Sequence, residues 1–229
     1  ESNLDLVSLN LWGNEISSNG ANCLSKALRT NRRLTCLDLG HNKIDDNGVI
    51  ALLQCFLTMD LVNDEVLRLR QRTIGGTHSE LPIYPTYQDL VAPLLQPADE
   101  KKDPKKKDPP KKKGSEGPVE RLKGEFDKDC IRLDDHRVRC PGNTSLWCLN
   151  LAQNPLLSSQ VVGVIQGLFS RREPSVEEIF NDGNVREPAP YLCSLQLRHL
   201  IIESTSLDHR HQESVNAAVL KAVPVSTVQ

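Results

Sequence analysis

Aromatic side chains are scarce in this sequence, at 4%. A core with few rings must be filled by aliphatic side chains, and leucine is the one that recurs. Long apolar runs are missing too. The most apolar neighbourhoods, 161–169 and 215–223, are interrupted and amphipathic, so no segment reads as a bilayer-spanning helix. No glycine-rich phosphate loop is present, because Gly75-Gly76 has no Lys-Ser/Thr partner. The seven cysteines (23, 36, 55, 130, 140, 148 and 193) are odd in number and lack tight spacing. That argues against a disulfide framework and for a reducing, intracellular compartment. Cys23 and Cys55 read as small buried hydrophobes of helical segments. His136, between Cys130 and Cys140 with Cys148 beyond, lacks the short ligand pairs of a zinc site. His209 and His211 read as part of a solvated turn. Asp45-Asp46 precedes a helix and reads as a cap, and Asp134-Asp135 falls in a loop. Asn143-Thr144-Ser145 matches a glycosylation acceptor, but nothing else in the sequence supports a secretory route. With no catalytic constellation, the reading is a non-enzyme without cofactor or metal.

What is present is a repeated frame. It reads Leu6-x-x-Leu9-x-Leu11-x-x-Asn14-x-Ile16, then Leu34-x-x-Leu37-x-Leu39-x-x-Asn42-x-Ile44, then Leu146-x-x-Leu149-x-Leu151-x-x-Asn154-x-Leu156. Leucines two apart point to one face of a short strand. An asparagine at the turn can both donate to and accept from backbone groups that the turn leaves unpaired. Asn14, Asn42 and Asn154 are therefore the structural asparagines. Leu6 to Leu34, Gly20 to Gly48 and Leu24 to Leu52 are each separated by 28 residues. Leu24 and Leu28, like Leu52 and Phe56, stand four apart as on a helix face. Each unit is thus a strand followed by an α-helix, and the pattern is that of a leucine-rich repeat.

Three segments follow from this. Residues 1–75 hold the first repeats, with a third strand expected at Val66-Leu67-Arg68-Leu69, although Arg72 stands where asparagine should be. Residues 76–143 form a Pro/Lys-rich insert, expected to be largely disordered or extended. Residues 144–229 continue the array and cap it. There a helix is expected from about Ser159 to Ser170, with Val164 and Leu168 in the places of Leu24 and Leu28. Residues 171–190 form another long connection. A last frame, Leu192-x-x-Leu195-x-Leu197-x-x-Leu200-x-Ile202, precedes a helix at about Gln212 to Ala222. For both halves to share one core, the insert must leave and return at neighbouring points, which loop-closure entropy permits. The chain starts at Glu1 almost inside a frame, which points to a fragment or a trimmed product.

Binding surfaces come from the positions between the strand leucines. In register these are Ser8, Asn10 and Trp12; Cys36, Asp38 and Gly40; Cys148, Asn150 and Ala152; and Ser194, Gln196 and Arg198. Trp12 is the candidate anchor for a protein partner, and its plain alternative is packing against a preceding repeat. The second surface is basic. Eight lysines (Lys101, Lys102, Lys105, Lys106, Lys107, Lys111, Lys112 and Lys113) with two aspartates form one run in a chain of net charge -2. Such a run suits acidic protein tails or nuclear import; without interleaved aromatics, nucleic-acid binding is disfavoured.

Residues 4–74 and 144–221 resemble the ribonuclease-inhibitor type of leucine-rich repeat protein. The resemblance implies an α/β solenoid with parallel strands on the concave side and helices on the convex side, interrupted here by the insert. Leu9-Asn10-Leu11-Trp12-Gly13-Asn14-Glu15-Ile16 together with the Lys/Pro-rich insert is similar to repeat proteins of cilia and flagella. The resemblance implies a cytoplasmic scaffold in an axoneme or other cytoskeletal assembly, holding a protein on its concave face and touching acidic tubulin tails with its lysines. Two alternatives stay open: a regulatory binder of an enzyme such as a ribonuclease or small GTPase, and a nuclear adaptor that uses the lysine run for import.

Overall fold

Alternating leucines make the opening strand of each frame, and the four-residue apolar spacing makes the helix that follows. The computed structural model describes residues 5–73, 80–94, 127, 129–181, 184–192, 195–203 and 207–222. The first two frames give β1 (Ser8–Asn10), α1 (Ser18–Leu28), β2 (Cys36–Asp38) and α2 (Asp46–Leu53). There follow β3 (Met59–Val62), α3 (Asn63–Thr73), α4 (Tyr87–Val91), β4 (Ile131–Arg132) and β5 (Arg137–Cys140). The third frame gives β6 (Cys148–Asn150) and α5 (Gln160–Phe169). After α6 (Val176–Ile179), β7 (Phe180–Asn181) and β8 (Asn184–Val185) come β9 (His199–Ile201) and α7 (His209–Ala222). The chain divides into a repeat unit, built from 1–59, 141–174 and 188–229, and an insert unit, built from 60–140 and 175–187.

In the repeat unit, four strands pair in the order β1-β2-β6-β9, all parallel. Leu9, Leu37, Leu149 and Leu200 share one register. The ladder continues past the strands: Leu11 N–H donates to the Asp38 carbonyl at 2.8 Å, Leu39 to Asn150 at 2.8 Å and Leu151 to Ile201 at 2.7 Å. Leu37, Leu39, Leu149, Leu151 and Leu200 are fully buried, and α1, α2, α5 and α7 pack side by side behind them. The glycine spaced at 28 has a steric cause. A Cβ on Gly48 would stand 2.6 Å from Ile44 Cγ2, so the helix start sits directly on the apolar residue after the asparagine.

The asparagines carry the turn chemistry. Asn42 donates to the carbonyls of Leu11, Leu39 and Gly40, each at 3.0 Å, and accepts from Ile16 N–H at 3.0 Å. Asn154 donates to Leu39 at 3.0 Å and Leu151 at 2.8 Å, and accepts from Ile44 N–H at 3.0 Å. Each carboxamide thus stitches its own turn to the one before it. Asn14 is exposed and donates to Leu11 at 2.9 Å. At the other end, Gln212 of α7 takes over the role. It accepts from Ile202 N–H at 2.8 Å and donates to the Leu200 carbonyl at 2.6 Å.

Several expectations need correction. Val66–Leu69 is not a strand but part of α3, because Asn63-Asp64-Glu65 starts a helix whose Val66, Leu69 and Arg70 turn inward. The repeat array therefore stops at residue 59, not 75. In the third repeat the buried residue after the asparagine is Leu157, while Leu156 is 57% exposed. That one-residue shift carries through α5, so Ile165 is buried in the place expected for Val164, which is 43% exposed. The last frame is displaced by five: the strand is His199–Ile201, with Leu197, Leu200 and Ile202 buried. Leucines at 192, 195 and 197 mimic the spacing, and without an asparagine nothing in the sequence fixes the register. Finally, Cys23 is exposed on α1.

The points where the chain leaves and rejoins the repeat unit lie together. Asn143 N–H donates to the Cys55 carbonyl at 2.7 Å, Thr58 N–H donates to Tyr191 at 2.8 Å, and Leu57 bridges Leu192. A Cβ on Gly142 would stand 2.3 Å from the Phe56 carbonyl oxygen, so glycine permits this close approach.

The insert unit has its own construction. Its sheet has the order β3-β5-β4, and Tyr87, Ile131 and Ile179 cluster beside it. The segment read as a simple connection, 171–190, thus contributes Ile179 to this unit, and the described parts of 76–143 are structured rather than extended. Lys101–Lys113 lies outside the described residues. Two buried arginines take the place of a large apolar core. Arg70 donates to Asp127 at 2.7 Å with both side chains fully buried, and Tyr84 donates to the same carboxylate oxygen at 2.7 Å. Burial and then the Asp127 contact push the Tyr84 phenol well above its usual range. Arg139 forks onto Asp60 at 2.6 and 2.8 Å, reaches Glu187 at 3.2 Å and donates to the Tyr87 hydroxyl at 3.1 Å. Burial opposes its charge, but Asp60 and Tyr87 outweigh that and hold its pKa above the ordinary value.

Asn154→Ala removes the partner of Ile44 N–H and of the Leu151 carbonyl and one of the two carboxamide donors to Leu39, and should lower unfolding stability by about 2–4 kcal/mol. The exposed Asn14→Ala should cost less than about 1 kcal/mol. Urea unfolding followed by circular dichroism separates the two. Asp127→Ala strands a buried guanidinium, at about 3–5 kcal/mol. Amide hydrogen exchange should then show lost protection in β4 and β5, with the Leu149 and Leu200 amides unaffected.

Candidate protein-binding face

The repeat sheet turns its leucines inward and its alternate residues outward. Register places Ser8, Cys36, Cys148 and His199 in one outward row, and Asn10, Asp38, Asn150 and Ile201 in the next. Ser8, Asn10, His199 and Ile201 are exposed, while the central residues are half-buried. Ser8, Asn10, Asp38 and Asn150 thus stand together as expected. Gln196 and Arg198 do not join them. Both precede β9, and the outward residues of that rung are His199 and Ile201, a consequence of the displaced frame. Ser194 lies outside the described residues, as does the whole lysine run.

Three of the outward residues also close their strands. The side-chain oxygen of Asn10 accepts from Trp12 N–H at 2.8 Å, that of Asp38 from Gly40 at 2.9 Å, and that of Asn150 from Ala152 at 3.0 Å. This Asx geometry ends the strand two residues on. It leaves the remaining polar atoms facing solvent. Beyond it, Gly13, His41 and Gln153 adopt φ of 70°, 53° and 55°, the left-handed residue before each structural asparagine. These turns, with Pro155, Glu203 and His209, border an open groove of about 1000 Å³ at the ends of the strands.

Trp12 is held by the turn of the following repeat. Its ring stacks on His41 with centroids 6.0 Å apart and planes 17° apart, and lies over Gly40. A Cβ on Gly40 would meet the ring at 2.2 and 2.3 Å, so the glycine is the floor of the stack. Trp12 keeps 41% of its surface exposed. The other tryptophan repeats the arrangement at the opposite ends of the strands: Trp147, 46% exposed, meets the His199 ring edge-on at 4.4 Å. Neither Trp147 nor His199 was picked out by strand alternation. Trp147 occupies the position just before β6, whose equivalents are Val7 and Thr35. A tryptophan at a position held by Val7 and Thr35 in the first two frames is the signal that could have found it.

The remaining sequence candidates resolve into structure. Asp45 caps α2, accepting from Gly48 N–H at 3.0 Å and pairing with Ser18 Oγ at 2.5 Å, and these bonds, the Ser18 one foremost, lower its pKa. Asp208 caps α7 and binds His211 Nδ1 at 2.7 Å. Asn143 is buried: it donates to Leu28 at 2.7 Å and Asn31 at 3.1 Å, and accepts from Leu146 N–H at 2.8 Å. Its amide nitrogen is fully used, which rules out a glycan in this fold. Asn31 accepts from Leu34 N–H at 2.7 Å in the same way, so both frames begin with an asparagine three residues before the first leucine. Among the described residues there is no cluster of three or more His, Cys, Asp or Glu side chains that could hold a metal ion, and no helix long and apolar enough to cross a membrane.

Residues 30–53, from the turn before β2 to the end of α2, match the family model described as Leucine Rich repeat. No curated protein and no solved structure matches the chain.

Gly40→Ala should expel the Trp12 ring from its stack. In a Trp147→Phe background, Trp12 emission should shift to the red and become more open to acrylamide quenching, with the far-ultraviolet circular dichroism unchanged.

Proposed function

We propose that this leucine-rich repeat protein is a non-enzymatic scaffold that holds a protein partner on the outward face of its parallel sheet. The leucine-rich repeat is generally an interaction module. The observation that carries the reading is the pair of half-exposed tryptophans, Trp12 and Trp147, each against an imidazole and at opposite ends of strands whose outward residues include Ser8, Asn10, Asp38 and Asn150. Preordered rings with a polar surround are what a protein interface uses as anchors. The repeats belong, in this reading, to the ribonuclease-inhibitor type and stack as a solenoid.

The finer proposal is a cytoplasmic role in a cilium or flagellum. It rests on the similarity of Leu9–Ile16 and the Lys/Pro-rich insert to leucine-rich repeat-containing protein 71. There the lysines at 101–113 would engage acidic tubulin tails or a comparable acidic surface.

The test is proximity labelling and pull-down from ciliated cells with the full chain. The Trp12→Ala/Trp147→Ala variant should reduce recovery of the enriched partner about tenfold or more. Deleting 101–113 should instead weaken retention on microtubules in a salt-dependent way. Unchanged recovery with the double variant overturns the sheet-face assignment. Enrichment of nuclear import receptors, lost with the deletion, would replace the ciliary reading with a nuclear one.

A further inference from the structure

The antiparallel pair β4–β5 of the insert unit sets two cysteines against each other. Ile131 faces Arg139 and Arg132 faces Val138, so the same register carries Cys130 opposite Cys140. Leu133 N–H donates to the Arg137 carbonyl at 3.0 Å, which marks 133/137 as a hydrogen-bonded pair. Such pairs alternate along an antiparallel ladder, so 130/140 is a non-hydrogen-bonded pair, in which Cα atoms approach to about 4.5 Å. That separation lies within the window for a disulfide, roughly 4.4–6.8 Å. Both side chains are buried, and the neighbouring Cys140 thiol and then burial push the Cys130 thiol up.

A second pair gives the contrast. Cys36 and Cys148 are also register neighbours, on the outward face of the repeat sheet. Their strands are parallel, so the Cβ atoms stand apart by the strand spacing of about 4.8 Å. That exceeds the mean disulfide Cβ separation of about 3.8 Å. In a non-hydrogen-bonded antiparallel pair the Cβ atoms come to about 4.5 Å, the upper end of the disulfide range of about 3.5–4.5 Å, so the buried pair is the better placed of the two.

We propose that Cys130 and Cys140 are a disulfide-forming site, closed by exchange with a low-molecular-weight disulfide such as glutathione disulfide, and that the bond staples the hairpin of the insert unit. In the first exchange one cysteine thiolate attacks the reagent, forming a mixed disulfide and releasing one glutathione thiol. In the second, the other cysteine attacks that mixed disulfide and releases the second glutathione thiol. The two cysteines lose two protons and two electrons, and the reagent gains them. Exchange takes place while the hairpin is open, during folding or in local unfolding, when the thiols meet solvent. The staple has a structural target. Cys130 N–H bonds the Asp127 carbonyl at 3.4 Å, and Asp127 holds the buried Arg70. Cross-linking fixes the short segment that delivers that carboxylate.

The test refolds the full chain in a glutathione buffer rich in the disulfide form, alkylates the remaining thiols and maps the peptides. One cross-linked product joining Cys130 to Cys140 is expected, with Cys36 and Cys148 recovered alkylated. Hydrogen-exchange protection in β4 and β5 should exceed that of the reduced protein by about tenfold or more. The Cys130→Ser/Cys140→Ser variant should show no redox dependence of that protection. Recovery of Cys130 and Cys140 as alkylated thiols or as glutathione adducts overturns the proposal. A preferred Cys36–Cys148 link does so too, as does the same redox dependence in the double variant. Native, already folded protein held in the same buffer to equilibrium provides the reading if refolding yields are poor.

Discussion

The repeat unit depends on carboxamides buried at the turns. A strand of three residues makes few hydrogen bonds, and the sharp turn after it leaves carbonyls and an N–H pointing into an apolar interior. Water cannot reach them, and an unpaired buried polar group is costly. Asn42 and Asn154 solve this by bonding to their own turn and to the preceding one at once. The same bonds fix the spacing between rungs. Leucine packing alone would tolerate sliding, since hydrophobic contact has little direction. Gln212 shows that the requirement is chemical and not positional: a longer carboxamide from a helix serves the last described rung equally well.

The two units meet the same demand for burial in different ways. The repeat unit is filled by aliphatic side chains in repeated places, and its buried polar groups are neutral. The insert unit buries two guanidinium groups and answers each with carboxylates and a tyrosine hydroxyl. Charge pairs with directed bonds specify geometry strongly but contribute little net stability. A small body of short strands and helices organised in this way gains from any additional constraint on its unfolded chain, and the facing cysteines of its hairpin are placed to supply one.

Much of this was legible in the sequence where a residue type is demanded by a local rule. Asparagine at 14, 42 and 154 predicted the turns, and the strands followed. Asp45 before a helix predicted a cap. Legibility failed where only leucine spacing was available. At 192–202 the leucines permit two registers, and burial of Leu197, Leu200 and Ile202 decides between them. At 156–157 an adjacent pair of leucines concealed a one-residue shift that rotated α5. Arg70 and Arg139 were invisible as core residues, because their acidic partners lie 57 and 79 residues away in sequence. Of the outward face, the rows at β1, β2 and β6 could be read directly. The tryptophan–histidine pairs could not, because each joins residues 29 or 52 positions apart.

The crossing points at 55–58, 142–143 and 191–192 form one seam on the repeat unit, so both departures from the spine begin and end within bonding distance of each other. A seam of this kind works as a socket. Whatever is spliced between its lips can lengthen, shorten or be exchanged for another cassette while the rungs on either side still meet, which leaves the decoration free to diverge at a different pace from its support.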